Sequence, residues 1–297
     1  MKFSVITPSL NQGRFIRDCI ESVRAQVEAE VEHIVVDGCS TDETAAIVKS
    51  YPHVQWTSEP DRGQTDAINK GFRQASGDWL MWLNADDYLL PKVFAKVAQF
   101  AQAHPQADVI YGDCDFVDKQ GNIVKRKHEG DFSYWMLLFY GTFIPSTATF
   151  YRRKLVDAGH LLDASQKVCM DLEYYLRLAQ AGFRFEHLPQ PLACFRWHES
   201  NVSSIHRAHG HKEFRALQRH YLGLRRLRWL DNDPTLYVLY RGYQALRLAR
   251  RLGNRLWKPE VDAVEPFGWW HGESPPPAKF GPESGKNRAS PSSILAD

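Results

Sequence analysis

The residues of this chain best placed to do chemistry are carboxylates standing where apolar runs end. Asp86 and Asp87 follow the nearly continuous apolar run Trp79-Leu80-Met81-Trp82-Leu83. An acidic pair at the mouth of a buried strand is costly unless it is solvated, hydrogen-bonded or metal-bound. Carboxylate oxygens are hard ligands suited to Mg²⁺ or Mn²⁺, and Mg²⁺ commonly combines one or two carboxylates with substrate phosphates. The same pair, a few residues before Pro91, also suits a turn and helix cap. Asp37 ends a second candidate strand, Val31 to Val36, and precedes Gly38. A carboxylate there can accept from a nucleobase N–H or a ribose hydroxyl, while Ser40 or Thr41 caps the helix that follows. Asp171 and Glu173 start a third candidate helix; two residues apart, they point to different sides of it. Two further groups read as decoys. Asp113-Cys114-Asp115 imitates a D-x-D pattern but precedes a hairpin, and His206, His209 and His211 stand at the entry of a basic helix as solvated side chains.

These carboxylates need elements to hold them. Phe3 to Thr7 reads as a buried strand stopped by Pro8, and Phe15, Cys19, Ile20, Val23 and Val27 recur at helical spacing. Val31–Val36, Val54–Trp56 and Trp79–Leu83 supply further strands, with helices after Ser40 and over 67–75. Beyond Pro91 come another helix, a strand at 109–111, and a hairpin turning at Lys119-Gln120-Gly121-Asn122. Thr147–Tyr151, Phe183–Leu188 and Leu192–Trp197 read as strands, and Asp171–Gln180 as a helix with Leu172, Tyr175, Leu176 and Ala179 on one face. Strands with crossover helices predict an α/β fold: a mixed, mostly parallel sheet sandwiched by helices, with ligands at the carboxyl ends of the strands. The first β–α loop lacks G-x-G-x-x-G and the chain lacks G-x-x-x-x-G-K-[ST], which removes the usual support for dinucleotide redox chemistry and P-loop phosphate binding.

The ordered set Ser4-Val5-Ile6-Thr7-Pro8-Ser9, Val35-Val36-Asp37-Gly38-Cys39-Ser40-Thr41-Asp42, Glu59-Pro60-Asp61-Arg62-Gly63-Gln64, Asp66-Ala67-Ile68-Asn69-Lys70-Gly71, Gly77-Asp78-Trp79 and Leu83-Asn84-Ala85-Asp86-Asp87 resembles the family-2 glycosyltransferases of the GT-A fold. The resemblance covers about residues 1–200. It implies that Thr7, Pro8, Asp37 and the stretch from Asp61 to Asn69, with Arg62 and Asp66, contact the nucleotide of the donor. It implies that Asn84, Ala85 and Asp86 line the diphosphate, that Asp86 and Asp87 hold Mg²⁺ or Mn²⁺ and ribose, and that Asp171 is the general base. Arg196 falls at a position that approaches the diphosphate, and His198 at one that in some members reaches metal or phosphate. One departure stands out: the first acid of the family's D-x-D is Asn84 here, so the site carries one negative charge fewer.

The chain of 297 residues has 43% hydrophobic and 24% charged residues and a net charge of +2, too balanced for a general nucleic-acid binder. Five scattered cysteines without C-x-x-C spacing read as reduced thiols, the N-terminus has too short an apolar run for a signal peptide, and no stretch reaches a membrane span. Residues 211–258 carry twelve lysines and arginines against three acidic residues, a net +9, leaving −7 for the rest. Three parts are therefore expected: a catalytic domain over 1–204, a basic amphipathic helical extension over 205–258 with Leu239, Tyr243 and Leu246 on its apolar face and Arg247, Arg250 and Arg251 on its polar one, and a disordered Pro/Ser/Gly-rich tail over 259–297. The extension either lies on an anionic membrane or docks on the catalytic domain. The expected activity is cytoplasmic, inverting transfer of a sugar from a nucleotide-sugar, a UDP-sugar first, to a hydroxyl of a glycan or lipid-linked acceptor, in surface polysaccharide or glycoconjugate synthesis. A sugar-phosphate nucleotidyltransferase and a non-catalytic nucleotide- or glycan-binding module are the rival readings.

Overall fold

A computed structural model describes residues 1–199, 201, 205–223 and 234–245. Four parallel strands come first in the chain: β1 (Lys2–Ser9), β2 (Glu30–Asp37), β3 (Val54–Ser58) and β4 (Trp79–Trp82). Helices α1 (Ile16–Arg24), α2 (Thr44–Lys49) and α3 (Gln64–Gln74) connect them. A two-residue strand β5 (Tyr88–Leu89) and helix α4 (Val93–Ala103) lead to β6 (Val109–Val117), which turns back as β7 (Ile123–Lys127). Then come α5 (Tyr134–Tyr140), a 3₁₀ turn at Ser146–Ala148, β8 (Thr149–Arg152), α6 (Lys154–Asp157), α7 (Met170–Gln180), β9 (Phe185–Arg196) and α8 (Arg207–Tyr221). The sheet runs β3-β2-β1-β4-β8-β6-β9-β5, with β7 beside β6. Strand β8 is antiparallel to both β4 and β6, and β6 and β9 are parallel. This is the expected mixed, mostly parallel sheet.

Burial explains why its central strands are apolar almost without interruption. Phe3 and Val5 of β1 face Cys19 and Val23 of α1 and Phe94 and Val97 of α4. Ile6 faces the opposite layer, where Ile68 and Phe72 of α3, Leu137 and Leu138 of α5 and Tyr174 of α7 pack with Trp82 and Tyr151. Both faces are covered, so neither can be polar.

Three strand and helix details differ from expectation. Strand β1 continues through Pro8 to Ser9, because β4 has already ended at Trp82 opposite Ile6 and only β2 pairs with this end. The two strands expected at 183–188 and 192–197 are one, β9. Pro189 and Pro191 are absorbed by register shifts against β6 around Gly112 and Asp113. A Cβ on Gly112 would lie 2.4 Å from Leu192 and 2.9 Å from the Gln190 carbonyl, so only glycine admits that bulge. The helix after β2 has Glu43 at its cap position without a side-chain cap bond; Asp42 Oδ1, and not Ser40 or Thr41, accepts from the first-turn Thr44 amide at 3.0 Å.

At the C-terminal side, α8 packs on α5 and α7: Gln218 donates to the Leu138 carbonyl at 2.9 Å and Tyr221 to Glu173 at 3.2 Å. Residues 234–245 are helical, with Leu236 and Tyr240 buried. The Tyr243 ring stacks on Phe139 and Tyr240 meets Tyr140. The inward face is thus Leu236, Tyr240 and Tyr243; Leu239, expected on it, is 38% exposed. Leu246, Arg247, Arg250, Arg251 and the tail over 259–297 lie outside the described residues. Among the described residues, no helix is long and apolar enough to cross a membrane.

Candidate active site

Asp37 ends β2, and Asp61 and Asp86 follow the carboxyl ends of β3 and β4. The register of β1 on β2 sets Ser9 abreast of Asp37. Asp37 is fully buried, and its Oδ2 accepts from the Ser40 amide at 3.0 Å and the Ser58 hydroxyl at 2.7 Å, while Oδ1 accepts from the Ser40 hydroxyl. Asp61 lies against Gly38, where a Cβ would stand 2.6 Å from its Oδ2, and its Oδ1 accepts from the Gly63 amide. Gly38 thus admits a second carboxylate beside the end of β2. Arg62 is exposed and pairs with Asp66 at 3.3 Å. The Asp66 carboxyl lies below its ordinary range, because bonds from Arg62 and the charge of Lys70 outweigh burial.

Several residues expected to touch a donor are committed elsewhere. The Thr7 hydroxyl is buried against the His33 imidazole at 2.9 Å, pointing into the layer between sheet and α1. Pro8 is buried in register with Val36. Asn69 uses both ends of its amide on the Leu162 backbone, at 2.9 Å each way, and so clamps a loop. Ala85 packs its methyl with Ile16 and Ile20. Asn84 accepts from Gln64 at 2.7 Å and donates to Asp87 at 3.1 Å.

The acidic doublet divides its labour. Asp87 is fully buried, accepting from the Arg196 amide at 2.9 Å, the Thr147 hydroxyl at 2.8 Å and Asn84. Burial, with the neighbouring Asp86 charge, pushes its carboxyl well up against the pull of those donors. Held by three protein donors, Asp87 is a structural hub. Asp86 points the other way. Its Oδ2 meets His198 Nε2 at 3.0 Å and Asn201 at 3.4 Å, and among the described residues nothing donates to Oδ1. The His198 ring is stacked on Phe15, with centroids 5.0 Å apart, and is 4% exposed.

Arg196 is a strut rather than a diphosphate ligand. It is 3% exposed, spread over Phe15 and Tyr88, and donates to Asp18 at 2.7 Å and to the Asp86 and Lys119 carbonyls at 2.9 Å each. The cations that do line the adjoining cleft were not singled out in the sequence. About 200 Å³ in volume, this cleft is bounded by Asn11, Gln12, Arg14, Phe15, Lys119, His198 and Glu199. Arg14 sits in a loop without a motif and Lys119 in the 119–122 turn, so their place at the cleft follows only from the fold.

A divalent ion is the group implied for this place. A carboxylate oxygen beside an imidazole nitrogen is a donor pair that suits Mn²⁺, with Mg²⁺ served chiefly by the oxygen. No set of three or more ligating side chains occurs among the described residues. Asp86 and His198 therefore fit an ion whose remaining ligands come from phosphate and water.

Asp171 occupies the second position of α7 and is partly buried. Its Oδ1 accepts from the Leu172 amide at 2.7 Å and the Thr142 hydroxyl at 3.4 Å. Burial pushes its carboxyl up to about 6 despite those bonds. Glu173 faces elsewhere, gripped by Arg177 at 2.8 and 3.0 Å. The positive φ of Gly141 ends α5 and turns the chain into Thr142. Five residues on, Thr147 holds Asp87, so one segment ties the Asp171 side of the site to the Asp86 side. Asp113 is buried under His187, His128 and the Glu129 amide, which lower its carboxyl against the effect of burial; it supports β6. His209 pairs with Glu213 at 3.0 Å.

The profile of glycosyl transferase family 2 matches residues 4–161. A PGL/p-HBAD biosynthesis glycosyltransferase of Mycobacterium tuberculosis is 33% identical over 181 residues, covering 59% of this chain and 68% of that protein. An uncharacterized glycosyltransferase of Haemophilus influenzae is 32% identical over 120 residues, 39% of this chain and 40% of that one. Among solved structures, S. aureus TarS 1–349 in complex with UDP-GlcNAc superposes with a TM-score of 0.58 at 25% identity, over 69% of this chain and 61% of that one. The mannosyltransferase PcManGT of Pyrobaculum calidifontis, in complex with GDP-Man and Mn²⁺, shares the fold at a TM-score of 0.53 and 17% identity, over 83% of this chain and 80% of that one. Sheet order, the matched segments and these relatives agree: the chain is an enzyme of the family-2 glycosyltransferases, with their GT-A fold.

Proposed function

We propose that this enzyme moves a sugar from a nucleoside-diphosphate donor, a UDP-sugar first, to a hydroxyl of a glycan or lipid-linked acceptor with inversion at the anomeric carbon. The single observation that carries this reading is Asp171: a helix-start carboxylate, pushed up by burial to about 6, that accepts from Thr142 of the segment whose Thr147 bonds Asp87. Its Oδ1 is committed to Leu172 and Thr142, which leaves Oδ2 to take a proton. The acceptor oxygen then bonds to the anomeric carbon as the bond to the diphosphate oxygen breaks, and the acceptor proton passes to Asp171 Oδ2. Asp61, beside the Asp37 that Ser40 and Ser58 hold, orients the base and ribose, and Arg14 brings positive charge to the diphosphate. Mg²⁺ or Mn²⁺ held by Asp86 and His198 would supply charge neutralisation on the leaving group. The UDP-GlcNAc and GDP-Man carried by the related structures support a nucleotide-sugar donor. Nothing favours a nucleotidyltransferase or a binding module.

The setting we propose is surface polysaccharide or glycoconjugate synthesis at the cytoplasmic face of a membrane. The net +9 of residues 211–258 supports peripheral contact with anionic lipid. The test is a thermal-shift and calorimetric panel of UDP-GlcNAc, UDP-glucose and GDP-mannose, each with Mn²⁺ and with EDTA. Binding to the native state raises the melting temperature, so at least one donor should do so, and more strongly with Mn²⁺. A panel without any shift would overturn the donor assignment.

A further inference from the structure

Helix α8 enters the site's architecture through one carboxylate. Glu213 accepts hydrogen bonds from three consecutive backbone amides: Lys167 on Oε1 at 2.8 Å, and Val168 and Cys169 on Oε2 at 2.9 Å each. Cys169 is the residue that precedes the first turn of α7, and it offers no side-chain cap of its own. Amides at a helix start have no partner within the helix and must find one elsewhere. Of the three amides that Glu213 holds, only that of Cys169 belongs to the helix start, and those of Lys167 and Val168 precede it; a carboxylate from another helix therefore fastens the chain's entry into α7. The contact is close and enclosed: the Glu213 side chain is 9% exposed. A Cβ on Gly210 would lie 2.9 Å from Val168, and Cys169 Sγ donates to the Gly210 carbonyl. Those amides hold the Glu213 carboxyl below its ordinary range although burial opposes them.

What this fixes is the origin of α7. Asp171 lies two residues beyond Cys169, and both groups bonded to its Oδ1 belong to elements that α8 grips. Leu172 follows the clamped turn, and Thr142 follows α5, to which Gln218 donates at 2.9 Å. We propose that Glu213 is a positioning residue: by holding the 167–169 amides it sets where α7 begins and where the Asp171 carboxylate points. The proposal rests on the reading of Asp171 as the base. It makes α8, in the stretch expected to form a separate extension, a working part of the catalytic unit.

The experiment compares the full-length wild type with Glu213→Gln and Glu213→Asp. The first places an amide N–H against a backbone N–H; the second keeps the charge but falls one methylene short. Hydrogen exchange should speed up at least tenfold, by mass spectrometry, in a peptide covering 165–172. The Asp171 titration, followed by ¹³C-carboxyl NMR, should fall by about one pH unit as water reaches the group. Tyr175 of α7, Tyr151 of β8 and Cys169 are the titratable groups coupled to Asp171; all stay neutral there, so the change reports hydration. The Kd for UDP-GlcNAc with Mn²⁺ should stay within twofold while kcat drops about 10- to 100-fold, as for a misplaced catalytic group. A merely structural role would lower the melting temperature and leave the Asp171 titration in place. Should Glu213→Gln not fold, Glu213→Asp decides by the same measurements. A folded variant with an unchanged Asp171 titration overturns the positioning role. Full turnover in Asp171→Asn, a separate arm, would instead remove the base assignment.

Discussion

Replacing Asp171 by Asn should make the protein more stable while it destroys turnover. The carboxyl is pushed by burial from an ordinary value of 3.8 to about 6. A group whose folded value is raised contributes stability that is complete below its unfolded value and is lost as pH rises through the folded one. The window is therefore about pH 4 to 6. Two pH units at about 1.4 kcal/mol each make the burial of the ionised form cost about 3 kcal/mol above pH 7. Asparagine keeps an oxygen for the Leu172 amide and Thr142 but never ionises. The variant should match the wild type at pH 4 and exceed it at pH 8. For a chain of this size, 1 kcal/mol corresponds to about 2–4 °C, so a gain of several degrees is expected. Turnover should fall about 10²–10⁴-fold with donor affinity kept, and wild-type kcat should rise with pH around 6. Glu173→Gln, in the grip of Arg177, is the folded control that keeps turnover. Thermal melts at pH 4 and 8, beside kcat and the donor Kd, make the assay. If Asp171→Asn melts no higher than wild type at pH 8, burial does not tax this carboxylate and the argument for a poised base collapses.

The remaining outcomes divide along the same lines. Asp86→Ala and His198→Ala should each abolish the Mn²⁺-dependent part of UDP-GlcNAc affinity by calorimetry; a variant still responding to EDTA like wild type would remove the metal from this pair. Asp87→Ala leaves the Arg196 amide, the Thr147 hydroxyl and Asn84 without their acceptor. It should cost about 3–5 kcal/mol, read as a melting temperature more than 5 °C lower; a melt within 2 °C of wild type refutes the hub. The full chain should co-sediment with anionic vesicles at low salt and release as salt rises, and charge reversal at Arg247, Arg250 and Arg251 should weaken it. Absence of sedimentation at low salt refutes the membrane contact.

The sheet was legible because burial on both faces writes itself into composition: Trp79–Leu83 and the shorter Ile34–Val36 read as strands covered by helices. The site was legible only to the level of position. Residue type placed Asp37 and Asp86 at or just beyond the carboxyl ends of their strands and Asp171 at the start of its helix. It could not say which way a side chain turns. Thr7 goes to His33, Asn69 to Leu162 and Arg196 to Asp18, partners 26, 93 and 178 residues away. Such pairings follow from packing, which no local pattern encodes. Glu213 was invisible for the same reason: an acceptor supplied from 44 residues beyond Cys169 leaves no trace near α7.

Asn84 shows what becomes readable once the packing is known. In the sequence it is a departure, a missing acid in a D-x-D. In the structure its amide does two things that a carboxylate cannot do together, donating to Asp87 at 3.1 Å and accepting from Gln64 at 2.7 Å. An aspartate there would set a second negative charge 3.1 Å from a carboxylate that is already fully buried, with no room for solvent to screen it. Asparagine relieves that repulsion and lets Asp87 anchor the Arg196 backbone and Thr147. The consequence reaches the chemistry. With Asp87 spent on structure and Asn84 neutral, Asp86 is the one acid of the motif left to face a cation, with the His198 imidazole beside it. A site with one carboxylate and one imidazole binds a divalent ion weakly by itself. The ion should therefore arrive with the donor: Mn²⁺ affinity of the free enzyme should rise at least tenfold when UDP is present, and equal affinity with and without UDP would show that the protein alone completes the site.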